Sequence, residues 1–334
     1  SELCRQILPV GVARLIVLDQ SEYNLYAIEQ ELQQHKTDSD LFCELGDICD
    51  EAGLEYLFGT YHPDVVFHAA AYKHVPLLEN KLREAVRNNI IGSWNVARLA
   101  DKYDCSDFVM VSTDKAVNPG NIMGATKRVA EIICQTFDAN SSTRFITTRF
   151  GNVLGSAGSV VPLFKEQIQK GGPVTVTDPD ITRYFMTISE ACRLILQTTV
   201  MGNGGEIFVL DMGEPVKVLY LAEQVIRLSG KTPGEDIMIE FSGLRPGEKL
   251  HEELFHRDED LADTSHEKVM LANSRKTDWQ TLVEAIQQFQ LAVDSFDIEL
   301  LQQLIHKLVP EMTQQKSCAK AAIENAGEPN EDGE

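Results

Sequence analysis

The chain has 334 residues, of which 43% are hydrophobic, and its formal net charge at pH 7 is −21. These values are typical of a globular protein with a substantial core, and the strong negative charge argues against general binding of nucleic acid or anionic membranes. No run of residues approaches the roughly 18 apolar residues of a membrane helix, so the chain itself is not expected to span a membrane. Its seven cysteines are scattered, without a C-x-x-C motif, which favours a reducing compartment.

Short β-rich runs alternate with longer helical patterns over the first 150 residues. The apolar runs RLIVLD (14–19), DVVFHAA (64–70), DFVMVST (107–113) and RFITTRF (144–150) predict buried strands, and the segments between them have helical spacing. Buried strands that alternate with helices predict an α/β fold, with a Rossmann-like doubly wound parallel sheet. We assign residues 1–150 to this Rossmann-like domain and expect it to bind NAD.

After residue 150 the pattern changes to shorter strands and helices, interrupted by turn-rich segments such as GNVLGSAGS and DPDITRYF. These segments predict a smaller substrate-binding lobe, followed by C-terminal helices, over residues 151–310. The acidic remainder, 311–334, lacks apolar periodicity and is predicted to be disordered.

The beginning of the chain lacks an expected feature. It starts inside a helical pattern, SELCRQIL, and no G-x-G-x-x-G or G-x-x-G-x-x-G turn precedes Asp19. A dinucleotide-binding fold has a first strand and such a turn, whose amides hold the pyrophosphate at a helix N-terminus. We therefore expect the first strand and the Gly-rich loop to be missing, as in a chain cut just after its phosphate loop.

Ligands of doubly wound sheets bind at the carboxyl ends of the strands, so the residues there are candidate cofactor ligands. Asp19 can bind both hydroxyls of an adenosine ribose and repel a 2′-phosphate, which favours NAD over NADP, or it can merely start a turn. Asp47 can reach the adenine edge or be only solvated. Ala69 and Ala70 offer small side chains for a flat cofactor or for tight packing of a helix on the strand.

The segment STDKAVNPGNIMGATKR carries the strongest functional signal. Thr113, Asp114 and Lys115 directly follow a buried strand, and Lys127 lies about one helical turn after Met123. A single Asp or Lys on a loop is usually a surface charge. An acid beside an amine at a strand end, with a second lysine facing the expected crevice, instead indicates acid–base chemistry.

Candidate substrate ligands follow residue 150. Asn152 can contact a diphosphate or a sugar, or it can fix a turn. Arg183 in DITRYF, and Arg245 with Glu248 in LRPGEK, suit a nucleotide diphosphate and its ribose, because the guanidinium fork matches phosphate oxygens. A solvated arginine is the alternative. The histidines show no metal-ligand spacing, so we predict no metal site.

Four longer segments, AAAYKHVPLLE, TDKAVNPGNIMGATKR, RFGNVLGSAGSVVPLF and LRPGEKLHEEL, resemble the nucleotide-sugar 4,6-dehydratases of bacterial polysaccharide biosynthesis. Those enzymes form the CapD-like branch of the extended short-chain dehydrogenase/reductase superfamily, and the resemblance runs from Ser1 to about Pro310. It implies NAD as cofactor, UDP-N-acetylglucosamine as substrate and a homo-oligomer. The larger members of the branch carry membrane helices upstream, which implies an anchored protein whose catalytic domain lies on the cytoplasmic face of the inner membrane.

The resemblance also implies roles for the residues of the central segment. Much of the superfamily has Tyr-x-x-x-Lys, whereas this chain has Met123 and Lys127 at that spacing, as the larger members of the branch do. Lys115 is then the base at sugar C5, Asp114 the acid at C6, and Thr113 orients the C4 hydroxyl. This chemistry requires a partly neutral Lys115, which burial and the nearby Lys127 would favour, and an Asp114 that is protonated at the elimination.

The remaining roles concern the cofactor side. The resemblance implies that Lys127 binds nicotinamide-ribose hydroxyls and that Asn89, in an N-x-x-G motif, fixes backbone near the catalytic strand. Lys73 and His74 can line the site, although a lone histidine more often packs or caps. Two other functions stay open. A C4-epimerase or reductase would be expected to have the tyrosine and to lack the Asp–Lys pair. A non-catalytic NAD-binding module would need only the NAD-binding domain.

Overall fold

The computed structural model of the chain describes residues 1–35, 38–156, 158–255, 261–272 and 277–312. The strands are β1 (Arg14–Asp19), β2 (Asp40–Leu45), β3 (Val65–His68), β4 (Asp107–Val111), β5 (Arg144–Arg149), β6 (Asn152–Leu154), β7 (Val174–Val176), β8 (Thr182–Arg183), β9 (Phe185–Thr187), β10 (Ile207–Leu210), β11 (Val216–Lys217), β12 (Ile239–Phe241), β13 (Leu261–Asp263) and β14 (Val269–Ala272). The helices are α1 (Glu2–Ile7), α2 (Glu22–Leu32), α3 (Glu51–Tyr61), α4 (Val75–Leu78), α5 (Leu82–Ala85), α6 (Gly92–Lys102), α7 (Ile122–Asp138), α8 (Val160–Gln169), α9 (Ile188–Met201), α10 (Val218–Leu228), α11 (Trp279–Ser295) and α12 (Ile298–Leu308).

The main sheet has six strands in the order β13-β14-β10-β5-β4-β3. The strands from β10 to β3 run parallel, and β14 and β13 add an antiparallel edge. β4 reads as a continuous apolar run because helices cover both faces of the sheet, and Phe108, Val109 and Met110 are fully buried. The predicted α/β fold with a mostly parallel sheet is confirmed.

A second, two-stranded parallel sheet holds β1 and β2. Among the described residues, no backbone pairing joins β1 to β3, and the middle of β1 is only half-buried. In the doubly wound order 3-2-1-4-5-6, the first strand lies between the strands that correspond here to β1 and β3. The break in the sheet therefore falls at the place where the predicted missing strand would lie.

The segments after residue 150 do not all stay in a separate lobe. β7 with β12 and β8 with β11 form two small sheets next to α8 and α10, and β6 with β9 forms a third next to α9. β10 instead pairs with the second edge of β5, and α11 and α12 bury Leu282, Phe289 and Leu301 in the main core. The sheet and its core thus cross the expected boundary at residue 150, and the division into domains stays a prediction.

Two further predictions concern the C-terminal tail and membrane-spanning helices. The predicted disordered tail, 311–334, lies outside the described residues except for Glu311 and Met312. Within the described ranges, no helix combines the length and the apolar character that crossing a bilayer requires.

Candidate active site

The turn after β4 positions the three residues predicted to act on the substrate. The Thr113 hydroxyl caps a short 3₁₀ turn, Asp114–Ala116, and accepts a hydrogen bond from the Lys115 amide at 3.4 Å. The Asp114 amide donates to the carbonyl of Phe150, just beyond β5, at 3.0 Å. Asp114 is completely buried. The two central strands therefore fix the backbone of this turn from both sides.

The side chains of the turn form a buried acid–base pair. The Lys115 Nζ and the Thr113 Oγ1 each donate to Asp114 Oδ1 at 2.9 Å, and Lys115 also donates to Asn152 Oδ1 at 3.1 Å. Asp114 Oδ2 is buried and accepts no hydrogen bond from any described residue. A buried carboxylate oxygen without a donor is unfavourable, so Oδ2 is well placed to bind a ligand hydroxyl.

A third carboxylate, Glu252, lies next to this pair. Its Oε1 is 3.7 Å from the Lys115 Nζ, and its side chain is only 4% exposed. Burial raises the pKa of Glu252, because the neighbouring Lys115 ammonium only partly offsets the cost of burying its charge. Glu252 lies within the segment LRPGEKLHEEL, and no role was predicted for it.

The charge of Lys115 differs from the prediction. Burial pushes the pKa of Lys115 down, but Asp114 and Glu252 outweigh it, and the net pKa is raised above its ordinary value. The cation that opposes this rise is Arg183, not Lys127. The expectation of a partly neutral Lys115 is therefore wrong for this structure, because two carboxylates flank the ammonium.

The helix after the turn begins at Ile122, and the Asn121 side chain caps it by accepting from the Gly124 amide at 2.7 Å. Met123 is 4% exposed and packs in an apolar cluster with Leu78 and Ala85, so no titratable group occupies the position of the tyrosine. Lys127 is buried and donates to the Val111 carbonyl at 2.8 Å. Burial lowers the pKa of Lys127 to about 8, so of Lys115 and Lys127 it is Lys127 that has the depressed pKa.

Close packing fixes α7 against the catalytic turn. A Cβ on Gly124 would lie 2.0 Å from the carbonyl oxygen of Lys115, which no side chain tolerates. The absence of a side chain at Gly124 thus allows the helix that carries Met123 and Lys127 to touch the turn that carries Asp114 and Lys115.

A buried ionic cluster lies beneath the site. Glu131, one turn after Lys127, accepts two hydrogen bonds from Arg149 at 2.7 Å, one from Arg128 at 3.0 Å and one from Ser112 at 2.6 Å. Glu131 and Arg149 are at most 1% exposed. Burial opposes ionisation of Glu131, but Arg149 and Arg128 outweigh it and lower its pKa to about 2. The cluster joins α7 to the ends of β4 and β5.

The predicted substrate residues are partly brought together. Arg183 is 6% exposed and donates to Glu248 Oε1 at 3.2 Å, and the Arg245 amide donates to Glu248 Oε2 at 3.2 Å. The Arg245 side chain is exposed. Asn152 instead contacts Lys115, in the acid–base pair. That these residues bind a nucleotide diphosphate stays a prediction.

The loop that carries Arg245 and Glu248 is docked on the N-terminus of α7. Asn121 Nδ2 donates to the Gly247 carbonyl at 3.0 Å, and Glu79 Oε1 accepts from the Ile122 amide at 2.7 Å. The Asn before an apolar helical run was a recognisable cap signal in the sequence. Glu79 was not predicted as part of the site, because a carboxylate at the end of a helical pattern is normally exposed to solvent.

The predicted cofactor residues follow the ends of β1, β2 and β3. Asp19 Oδ1 accepts from the Ser21 amide at 2.8 Å, and Asp47 accepts from the Cys49 amide at 2.9 Å and pairs with Arg87 at 3.3 Å. Asp19 therefore fills the local turn role that the sequence left open beside the cofactor role, and Asp47, whose alternative was to be only solvated, makes a local turn contact and an ion pair. The cofactor role of both carboxylates stays a prediction.

Asn89 lies in a π-helical segment, Val86–Ile91, and binds the loop after β3. Its side chain accepts from the Tyr72 amide at 2.8 Å and donates to the Tyr72 carbonyl and to Thr126, each at 3.0 Å. Asn89 therefore fixes the backbone of the loop after β3, and its predicted part in cofactor binding stays a prediction. The loop that it holds exposes Ala69 and Ala70, and further along Lys73 and His74, at the carboxyl end of β3.

These residues suit a dinucleotide at the carboxyl edge. Small exposed alanines follow β3, a carboxylate ends β1 and a buried ammonium lies behind β4, as a flat cofactor with two ribose groups requires. Among the described residues, no group of three or more His, Cys, Asp or Glu side chains is arranged to hold a metal ion. The absence of a metal stays a prediction.

Comparison with known proteins agrees with this architecture. A model of the family described as "Polysaccharide biosynthesis protein" matches residues 1–274. The chain belongs to this family. The family and its relatives comprise nucleotide-sugar dehydratases and epimerases.

Three relatives show how far the likeness extends. The capsular polysaccharide biosynthesis protein CapD of Staphylococcus aureus is 52% identical over 271 residues, which are 80% of this chain and 45% of CapD. An inverting UDP-N-acetylglucosamine 4,6-dehydratase of Campylobacter jejuni is 34% identical over 219 residues, 64% of this chain and 62% of that enzyme. The solved structure of Pen from Bacillus thuringiensis is 33% identical, with a TM-score of 0.75, and the match covers 83% of this chain and 86% of Pen.

The chain spans less than half the length of CapD, so the likeness concerns one part of that protein. Two epimerases that were solved with NAD bound share the fold at TM-scores of 0.60 and 0.65, and at 19% and 20% identity that likeness concerns the fold alone.

Proposed function

We propose that this chain catalyses the NAD-dependent 4,6-dehydration of UDP-N-acetylglucosamine to a UDP-4-keto-6-deoxy sugar, for the synthesis of surface polysaccharide or other glycans. The observation that carries the proposal is the buried Asp114–Lys115 pair at the end of β4, beside Met123 in the place of a tyrosine. An elimination needs an acid and a base close together, which an ordinary reductase lacks. The Campylobacter jejuni dehydratase, at 34% identity, supports the substrate class.

NAD fits the carboxyl edge of the sheet, where Asp19 would hold the adenosine ribose and Lys127 the nicotinamide ribose. When bound, it supplies a hydride acceptor at sugar C4 and a hydride donor at C6, so no second substrate is consumed. The alanines after β3 leave room for the flat rings of NAD. Lys127 is buried behind β4, which holds its ammonium close to the proposed position of the nicotinamide ribose.

The residues of the turn carry the proton transfers. Thr113 orients the C4 hydroxyl, and the unpartnered Oδ2 of Asp114 accepts the proton that this hydroxyl loses. Lys115 removes the proton from C5, which the neighbouring ketone acidifies. Asp114 then protonates the departing C6 hydroxyl, which leaves as water, and Lys115 returns its proton to C5. Both residues end in the protonation states in which they began.

The experiment that tests the proposal is incubation with UDP-N-acetylglucosamine and NAD, followed by mass spectrometry of the sugar nucleotide. We expect the mass to fall by one water. An unchanged mass with altered NMR couplings in the sugar would show a C4-epimerase instead, and an unchanged sugar would contradict enzymatic function on this substrate. An oligomeric state and a membrane anchor stay predictions.

A strand ahead of Ser1 is predicted to improve the enzyme. Within the described part of the chain, no strand pairs with the facing edges of β1 and β3, and no glycine-rich turn precedes Asp19 in the sequence. We expect that a form extended by a β-strand and a G-x-x-G-x-x-G turn, here called the extended protein, retains NAD and turns over faster than the chain as it stands. Bound NAD and water loss are compared between the two. Equal values would contradict the expectation of a missing strand and loop.

Asp19→Ala in the extended protein is expected to weaken NAD binding by roughly tenfold and to narrow its preference over NADP. The carboxylate both binds the ribose hydroxyls and repels a 2′-phosphate. Asp19→Asn removes the negative charge but keeps an oxygen that can accept from the Ser21 amide, so this variant separates the effect of the charge from the loss of the local contact. The measurement is the dissociation constant of NAD and of NADP for each variant. A wild type that prefers NADP would contradict the role proposed for Asp19.

A further inference from the structure

The segment 245–253, here called the strap, lies between the predicted nucleotide site and the catalytic turn. Its backbone forms turns rather than a helix or a strand, so its position is set by contacts with other parts of the chain. It begins with Arg245 and Glu248, which are predicted to bind the nucleotide diphosphate and its ribose. Further along, Glu252 forms an ion pair with Lys115 at 3.7 Å. One short segment therefore approaches both ends of the expected substrate.

The side of the strap that faces the expected nucleotide is bound to β8. The Arg183 guanidinium donates to the Leu250 carbonyl at 3.3 Å and to Glu248 Oε1 at 3.2 Å. The Thr182 amide donates to the same carbonyl at 3.1 Å. Within the strap, the Arg245 amide donates to Glu248 Oε2 at 3.2 Å. These contacts hold the candidate nucleotide ligands together as one unit.

The opposite side of the strap is bound to the segment between the catalytic turn and α7. Asn121 is 3% exposed, and its Nδ2 donates to the Gly247 carbonyl at 3.0 Å while its Oδ1 caps α7. Asn118 Nδ2 donates to Glu253 Oε2 at 2.7 Å. The strap and the start of α7 are thus held at a fixed separation, and α7 in turn packs on the catalytic turn.

This separation requires a residue without a side chain at position 247. Gly247 is buried at a φ of +76°, and a Cβ there would lie 2.9 Å from the Asn121 Cβ and 2.9 Å from the Glu79 Cδ. The Glu79 side chain can rotate away, but the Asn121 Cβ is fixed by the helix cap. Gly243 has a similar φ of +80°, yet a Cβ there would meet no described atom within 4 Å. Both glycines favour a left-handed backbone, and Gly247 alone of the two makes the close contact.

We propose that Gly247 is a positioning residue, which sets the distance between the bound nucleotide and the Asp114–Lys115 pair so that the sugar reaches that pair; this rests on the function proposed above. Gly247 does not touch the reacting atoms. A side chain there pushes the strap, and the diphosphate bound through Arg245, away from α7. The groups that bind the nucleotide move with the strap, so its affinity changes little while the sugar is displaced from the acid and the base.

The first test compares two alanine variants of the extended protein. Gly247→Ala is expected to lower kcat for water loss from UDP-N-acetylglucosamine roughly 10- to 100-fold, while the Kd for UDP changes by less than about threefold. Gly243→Ala shares the strain of a side chain at positive φ but not the contact, so it should retain the kcat and the Kd of the wild type. Calorimetry with UDP gives both the Kd and the number of sites per chain.

Three results of this comparison would overturn the proposal. A loss of UDP sites in proportion to kcat would mean that Gly247 serves folding alone. An equal loss of kcat in Gly243→Ala would trace the effect to backbone strain. A Gly247→Ala variant with the kcat of the wild type would show that the contact does not position the sugar.

A second variant keeps the glycine and removes its partner. In Asn121→Ser the hydroxyl still caps α7 by accepting from the Gly124 amide, but the Nδ2 donor to the Gly247 carbonyl is lost. We expect kcat to fall roughly fivefold, as the loss of one hydrogen bond suggests, with an unchanged Kd for UDP. A Kd that rises while kcat stays constant would contradict the positioning role.

A further measurement does not depend on turnover. Protein labelled with ¹³C at lysine Cε is prepared in the Asp114→Asn background, so that the sugar is not consumed, and the Lys115 signal is assigned by its loss in Lys115→Met. We expect UDP-N-acetylglucosamine to shift this signal further than UDP does, and Gly247→Ala, but not Gly243→Ala, to abolish the additional shift. An additional shift that persists in Gly247→Ala, or that is absent without it, would overturn the proposal. If the expected pattern is found but the extended wild type dehydrates no sugar, only the proposed reaction is rejected.

Discussion

Lys115→Met and Asp114→Asn are each expected to reduce dehydration by a factor of roughly 10²–10⁴ while UDP binding stays largely intact. Both groups act on the transition state of the elimination, and neither contacts the expected nucleotide site around Arg183 and Glu248 directly. The measurements are the rate of water loss by mass spectrometry and the affinity for UDP by calorimetry, in the extended protein.

The double variant sharpens this prediction. Because Asp114 and Lys115 share a hydrogen bond at 2.9 Å and act as a unit, the double variant should lose no more than the more damaged single variant. Lys170→Met, which removes an exposed lysine directly after α8, is the matched control and should leave the rate unchanged. Near-normal turnover in either single variant would reject the assigned acid and base roles.

Glu131→Gln is expected to cost roughly 3–5 kcal/mol of stability, because it removes the negative charge to which the buried Arg149 and Arg128 donate, although Arg128 keeps its pair with Glu311. Urea unfolding of the variant and the wild type measures the difference. Glu166→Gln is the matched control, since Glu166 forms an exposed pair with Lys170 and its loss should not change the midpoint. A Glu131→Gln variant as stable as the wild type would show that the ionic cluster does not stabilise the fold.

The stability difference between the wild type and Glu131→Gln is expected to depend on pH. The pKa of Glu131 is lowered to about 2 in the folded chain, below an unfolded value of about 4.3. A depressed carboxyl pKa contributes stability that is complete above the unfolded pKa and is lost as pH falls through the folded pKa. The stability difference between wild type and variant should therefore shrink between about pH 4.3 and pH 2. A difference that is equal at pH 3 and pH 7 would contradict this.

Local sequence patterns were sufficient to predict the features that depend only on neighbouring residues. The apolar runs around Phe108 and Phe145 predicted β4 and β5, since strands buried on both faces contain few polar residues. The position of Thr113, Asp114 and Lys115 followed in turn, because residues directly after such strands lie at the carboxyl edge. The capped start of α7 was equally local.

Features that depend on distant segments were not predictable in this way. β10 joins β5 because that strand has a second edge to pair, and nothing in the periodicity of residues 207–210 reports it. The charge of Lys115 was misjudged for a related reason, since Glu252 approaches it only in the folded chain. Glu131 is a charged residue in a helical pattern, and only its distant partner Arg149 distinguishes it from a solvated face.

The contact between Gly124 and the carbonyl of Lys115 has a consequence for the energetics of turnover. Because the backbone of α7 meets the catalytic turn this closely, we expect Asp114, Lys115, Met123 and Lys127 to keep their relative positions without any ligand. The conformational entropy lost in ordering these groups is incurred once, when the chain folds. It does not recur in each catalytic cycle, and the activation entropy of the chemical step should reflect only the ordering of the sugar.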